Sequence, residues 1–243
     1  MSLQRERILT EACELYLAEG LDGFSMRKLA KALGVTAPAI YKYYDSREAV
    51  LLEVLSQGYR LLARSLYDAL GGTSPWERFL LAGRAHTEFA LNHRRYYELI
   101  YTHPQHLGIE KLPPEIEAQG CAINQFFMDR VRECMAAGLL RDGDPMELAI
   151  TMWGHAHGLI SLYLGGMLTD DQGDPVDLDA FLIVFHKSGA NLLRGLATPE
   201  HAEKVAGDLL CGVPPEFAGK LKKGRALSVQ SSDEPTDANR VVA

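Results

Sequence analysis

The chain has 243 residues, with 25 Lys and Arg against 32 Asp and Glu and a formal net charge of −7. That length holds a compact module plus a larger domain with its own core, and the acidic balance excludes a surface built for nucleic acid throughout. Four scattered cysteines, Cys13, Cys121, Cys134 and Cys211, lack metal-type or disulfide-type spacing. They are expected to be reduced thiols, and with no leader sequence ahead of the first helix the expectation is a cytoplasmic protein.

A first helix is predicted over residues 8–20. After it, Phe24 and Ser25 form a staple and cap for a second helix whose apolar stripe is Leu29, Ala30 and Leu33. Gly34 stands where that helix must stop in a left-handed conformation. Val35 and Thr36 repeat the entry device, Pro38 falls in the first turn of a third helix, and Asp45 with Glu48 reads as a capping box for a fourth. Two short helices joined by a tight glycine turn form a helix-turn-helix, whose second helix enters the major groove of DNA.

Charge agrees with that geometry. Between Ser25 and Arg47 stand Arg27, Lys28, Lys31, Lys42 and Arg47 against Asp45 alone. A phosphate-facing surface needs such a local excess. Residues 1–60 hold equal numbers of cations and anions, so the whole negative balance lies beyond them and confines the nucleic-acid face to the first module. Tyr41, Tyr43 and Tyr44 add hydroxyls suited to backbone oxygens.

Residues 5–52 resemble the DNA-binding domain of TetR-family transcriptional regulators. The matching elements are residues 8–20, Gly23-Phe24-Ser25-Met26, Leu29-Ala30, Gly34-Val35, Ile40-Tyr41, Tyr43-Tyr44 and Ser46-Arg47-Glu48. The family more often has His before the aromatic at Tyr43-Tyr44 and Lys at Arg47. The resemblance implies that Thr36, Ala37, Pro38, Ala39 and Lys42 face bases, while Ser25, Tyr41, Tyr43 and Arg47 hold phosphates, with Arg27 on the same basic surface. Lys42 is the side chain best suited to guanine O6 and N7.

The rest of the chain reads as helical. Helices are predicted over residues 48–70, 75–92, 114–137, 145–168 and 177–196, with a short polar-aromatic piece at 93–101 and a further amphipathic helix at 199–210. Leu148 to Thr169 contains no charged residue and is long enough to cross a bilayer. Its histidines, Thr151, Ser161 and glycines instead favour a helix buried on two fronts, as a dimer seam provides. By the family resemblance, helices 145–168 and 177–196 pack on their symmetry mates as a four-helix bundle.

Trp153-Gly154-His155-Ala156-His157-Gly158 resembles the Trp-x-x-x-His-Gly signature of one TetR subgroup. Trp153 and His157 share a helix face. They can serve as a structural pair at the core or dimer seam, as a pocket-lining pair, or, through His155 and His157, as metal ligands. The same family implies an effector pocket in the larger domain, for which His86, Phe89, Tyr101, His103, Phe127, Trp153 and His157 are the candidates. The acidic balance leans toward a neutral or cationic ligand.

The fold class expected is all-α: a three-helix helix-turn-helix head over 1–52, a helical effector-binding and dimerisation domain over 53–218, and a disordered polar tail over 219–243. The function expected is a DNA-binding transcriptional repressor that binds a palindromic operator as a homodimer and is released by a small molecule. No catalytic residue, cofactor, metal or membrane partner is assigned. Two alternatives stand beside it: a metal-dependent helical enzyme using His155 and His157, and a regulator without a small-molecule effector.

Overall fold

The computed structural model describes residues 3–211 together with Ser228 and Val229. Ten α-helices carry the described fold: α1 (Leu3–Gly23), α2 (Met26–Leu33), α3 (Ala37–Tyr41), α4 (Arg47–Tyr67), α5 (Pro75–Asn92), α6 (Arg94–Tyr101), α7 (Pro114–Ala136), α8 (Pro145–Leu164), α9 (Leu178–Leu196) and α10 (Ala202–Cys211). The all-α expectation holds. Its one addition is a two-residue antiparallel ladder, β1 (Leu168–Thr169) with β2 (Ser228–Val229). That ladder involves two residues of the predicted tail, whose other residues lie outside those described.

Helix ends follow local chemistry. Ser25, Ser46, Ser74 and Asp177 each accept a backbone N–H from three residues ahead, opening α2, α4, α5 and α9. The cap of α4 is therefore Ser46, and Asp45 with Glu48 is not the capping box that their spacing suggested. Thr36 stands at the start of α3 in extended backbone, but its side chain makes no capping bond. The predicted helix over 48–70 ends as α at Tyr67 and tightens to a 3₁₀ turn over Asp68–Gly71.

Two compact units divide the chain. One comprises the residues through Gly138 with Asp142–Ala149, the other Leu139–Arg141 with the residues from Ile150 onward. The packing thus does not divide at residue 52. In the first unit α4 is central, packed on α1, α5, α6 and α7, with Val50, Leu51, Val54, Leu55, Leu62 and Leu66 buried along it. The head is held to this unit at α1: the Tyr16 hydroxyl donates to the Arg95 carbonyl at 3.3 Å. On the other side of α6, the ring of Tyr96 lies so close to Gly58 of α4 that a Cβ there would stand 3.0 Å from it. Burial raises the Tyr16 hydroxyl to a pKa of about 12.

The second unit packs α8, α9 and α10 together. Tyr163 stacks on Phe181 with centroids 4.2 Å apart, and Leu209 of α10 closes over Gly189 of α9. Leu139 and Leu140 join it through a bond from the Thr198 N–H to the Leu139 carbonyl and a bridge between Leu140 and Ala197.

Candidate nucleic-acid interface and an open groove

The turn between α2 and α3 is made by backbone geometry. Gly34 adopts φ 67°, ψ 30°, and the Val35 N–H returns to the Ala30 carbonyl at 3.0 Å, closing the end of α2. Behind it Phe24, Met26, Leu29, Ala30, Leu33 and Ile40 are buried. What faces outward is polar or small. Arg27, Lys31, Thr36, Pro38, Tyr41, Lys42 and Tyr43 are exposed, and Ser25, Ala37 and Ala39 are half-buried. Tyr41 keeps 48 % of its surface.

Cations on this surface divide by partner. Lys28 is paired with Glu19 of α1. Arg47 turns toward the head: its Nε donates to the Phe24 carbonyl at 3.2 Å and its Nη2 to the Leu21 carbonyl at 2.9 Å. Its guanidinium fastens α4 to the end of α1 and to the connection that follows it. Arg27, Lys31 and Lys42 are exposed and make no ion pair among the described residues, whereas Lys28 does. Lys31 was not among the expected site residues; its place one turn after Arg27 on the polar side of α2 was the available signal.

Tyr44 differs from its neighbours. It is buried, and its hydroxyl donates to Glu53 Oε2 at 2.6 Å, while Arg5 of α1 pairs with the same carboxylate. Burial first, and then the Glu53 carboxylate, push the Tyr44 hydroxyl above its ordinary range. Tyr44 is a structural tie between the head and α4, and does not present its hydroxyl to a phosphate.

The expected pocket residues are divided between the two units. In the first unit His86 and Phe89 are buried and Tyr101 and Phe127 half-buried; His86 Nε2 lies 2.9 Å from the Tyr101 hydroxyl, and the ring packs edge-on to Tyr97 and Phe127. His103 is exposed, its Nδ1 capping the next turn by accepting from the Gln105 N–H. Trp153 and His157 lie in the second unit. The first unit also holds an open groove of about 210 Å³ between α4 and α7, lined by Tyr59, Arg60, Ala63 and Leu66 on one side and Gln119, Ala122, Ile123 and Phe126 on the other. Its alanines, Ala63 and Ala122, are exposed, and Tyr59 closes on Gly120, where a Cβ would stand 3.1 Å from its hydroxyl.

Comparison with known proteins agrees with this arrangement. Residues 8–54, from α1 into α4, match the bacterial regulatory proteins of the tetR family, and residues 79–184, from α5 into α9, match the tetracyclin repressor-like C-terminal domain. The chain belongs to the TetR family. Among relatives, the tetracycline repressor protein class C of Escherichia coli is 33 % identical over 78 residues, 32 % of this chain and 35 % of that protein. The chain spans between about a third and a half of the length of such curated relatives. A protein of unknown function from Rhodococcus sp. RHA1 shares 28 % identity at a TM-score of 0.67, covering 82 % of this chain and 97 % of that one. AibR, solved in complex with isovaleryl coenzyme A and operator DNA, has the same fold at 18 % identity and a TM-score of 0.57, covering 79 % and 97 %.

In this TetR-family chain the Trp153–His157 region has an ordered interior of its own. Trp153 and His157 stack with centroids 5.7 Å apart, and His157 Nε2 lies 3.4 Å from Ser161 Oγ. His155 Nε2 meets Ser188 Oγ of α9 at 3.2 Å. The two imidazoles thus take separate partners, and among the described residues no group of three or more His, Cys, Asp or Glu is placed to hold a metal ion. Burial lowers the pKa of His155 and of His157 and favours their neutral forms. No described helix is long and apolar enough to cross a membrane.

Proposed function

We propose that this chain is a ligand-responsive transcriptional repressor of the cytoplasm that binds a palindromic operator as a homodimer and is released by a small molecule. The observation that carries the reading is the head. On a chain of net charge −7, an exposed α3 is framed by the unpaired cations Arg27, Lys31 and Lys42 behind a left-handed glycine turn. In this reading α3 enters the major groove, Thr36, Ala37, Pro38, Ala39 and Lys42 face base edges, and Ser25, Tyr41 and Tyr43 contact phosphates.

Dimerisation is supported by α8 and α9. The uncharged stretch from Leu148 to Thr169 leaves Ile150 53 % exposed and Trp153 44 % exposed in the single chain, a face suited to a symmetry mate. The Trp-x-x-x-His-Gly motif then marks the subgroup of the family and serves as a seam, not as a metal site. Effector control is supported by α4, which carries the head ties Arg47 and Glu53 at one end and the groove wall Tyr59, Ala63 and Leu66 at the other. A ligand that fits one spacing of α4 and α7 better than another shifts the reading heads by its difference in affinity.

The test is selection from randomised duplex DNA with wild type and Lys42→Ala. The expected result is a two-fold symmetric site that loses preference at matching positions in both halves for the variant. Absence of any enriched sequence at low salt sinks the reading.

A further inference from the structure

The outward surface of α3 carries little hydrogen-bonding chemistry. Between Gly34 and Lys42 the chain has no Arg, Lys, Asn, Gln, Asp or Glu. Those are the side chains that tell bases apart by hydrogen bonds: Arg or Lys at guanine, Asn or Gln at adenine, Asp or Glu at cytosine. Thr36 is exposed and makes no capping bond, but a single hydroxyl pairs with several bases and separates none of them. Tyr41 and Tyr43 are taken by the phosphates in the reading above.

Burial fixes which side chains stand outward. Ile40 is fully buried, and Pro38 and Lys42, one turn apart, are exposed on the side of the helix away from it. Ala37 and Ala39 flank Pro38 and are half-buried. Two methyl groups and a pyrrolidine ring thus form one apolar patch beside the Lys42 ammonium. All three side chains are short, so the backbone of α3 can come close to the groove floor. Among the four bases only thymine offers an apolar group in the major groove, its C5-methyl. Pressed on any other base edge, the patch would strip water from nitrogen and oxygen atoms without pairing them, which is costly. Against thymine it buries apolar surface on both sides.

We propose that α3 reads thymine by its methyl group: Ala37, Pro38 and Ala39 select T·A pairs next to the pair whose guanine Lys42 reads. This deepens the DNA-binding reading above and rests on it. The turn from Pro38 to Lys42 is about 6 Å along the helix, and base pairs are about 3.4 Å apart. The methyl-read thymines therefore lie within about three base pairs of the Lys42 position. Burying one methyl is worth about fourfold in affinity, and a palindrome presents each contact twice.

The experiment is equilibrium binding of the full chain to its selected duplex, resynthesised with deoxyuridine at each thymine in turn. Uracil differs from thymine only by the missing methyl. The expected result is a loss of about fourfold for each thymine replaced within three base pairs of the Lys42 position, and little change at thymines elsewhere. Cytosine at those places should weaken binding, and 5-methylcytosine should recover about fourfold of the loss. In Ala37→Gly or Ala39→Gly, thymine and uracil should become equal at one place in each half-site, whatever the overall affinity of the variant. The wild-type comparison decides without the variants. Equal binding of thymine and uracil duplexes, no gain from 5-methylcytosine, or a selected half-site without thymine in that stretch overturns methyl readout and leaves the regulator reading standing. No symmetric site at all is the failure of the regulator reading, and this proposal falls with it.

Discussion

Lys42 and Arg47 flank one short loop and carry the same charge, but their nitrogens are occupied differently. Lys42 is exposed at the end of α3, and Arg47 spends its Nε and Nη2 on the carbonyls of Phe24 and Leu21. Lys42→Ala should therefore leave stability unchanged and relax choice at one base position. Arg47→Ala should lower unfolding stability by about 2 kcal/mol, because two charge-assisted bonds to the α1–α2 connection are lost. Urea unfolding of both variants checks the contrast; equal stability of Arg47→Ala and wild type would return Arg47 to the phosphate surface. At this scale much of the head was legible. Gly34, Ser25 and the buried Leu29, Leu33 and Ile40 follow from local rules that need no partner. The inward turn of Arg47 and the burial of Tyr44 did not follow, because each depends on a group brought near from elsewhere in the chain, the Leu21 and Phe24 carbonyls and the Glu53 carboxylate.

Helix α4 joins two tasks that sequence periodicity treats as one apolar stripe. Its first turns hold Arg47, Glu53 and, through Glu53, both Arg5 and Tyr44; its later turns form a groove wall against α7. The groove was not legible from sequence, since its walls come from two helices, α4 and α7, whose relative register no local pattern encodes. Of the residues that the family resemblance suggested for a pocket, His86, Tyr101 and Phe127 meet one another and Tyr97 in edge-on ring contacts that depend on groups brought together from three helices. Helix α8 was legible in the opposite sense, because its lack of charge from Leu148 to Thr169 announced a buried element, and within one chain Ile150 remains half-exposed. Ile150→Glu should accordingly shift sedimenting dimer toward monomer and weaken operator binding in parallel, without altering helical content. A dimer of unchanged affinity in that variant would remove α8 from the interface.

Across the whole molecule, titration and charge are segregated. His155, His157 and His186 belong to the second unit, and burial lowers the pKa of each below the ordinary 6.5; for His186 a bond to the Leu182 carbonyl opposes the shift. The folded chain thus refuses protons that the unfolded chain accepts. Stability supplied by the neutral rings is present in full above about pH 6.5 and is lost as pH falls below it toward the folded-state pKa values. Thermal midpoints between pH 8 and 5 should decline on the acid side, and His155→Gln should flatten part of that decline by taking one of the three groups out of the titration.

The reading head and the body divide the net charge in the same way, with the free cations Arg27, Lys31 and Lys42 on one surface and the acidic surplus beyond residue 60. The measurement that tests the central account most directly is equilibrium binding of wild type to its selected duplex over a series of salt concentrations, with the stoichiometry determined at saturation. Two chains per duplex, each neutralising phosphates with the free cations Arg27 and Lys31, predict a slope of log affinity against log salt of about −4. A single chain per duplex, or affinity indifferent to salt, would contradict a dimeric regulator that reads DNA through this surface.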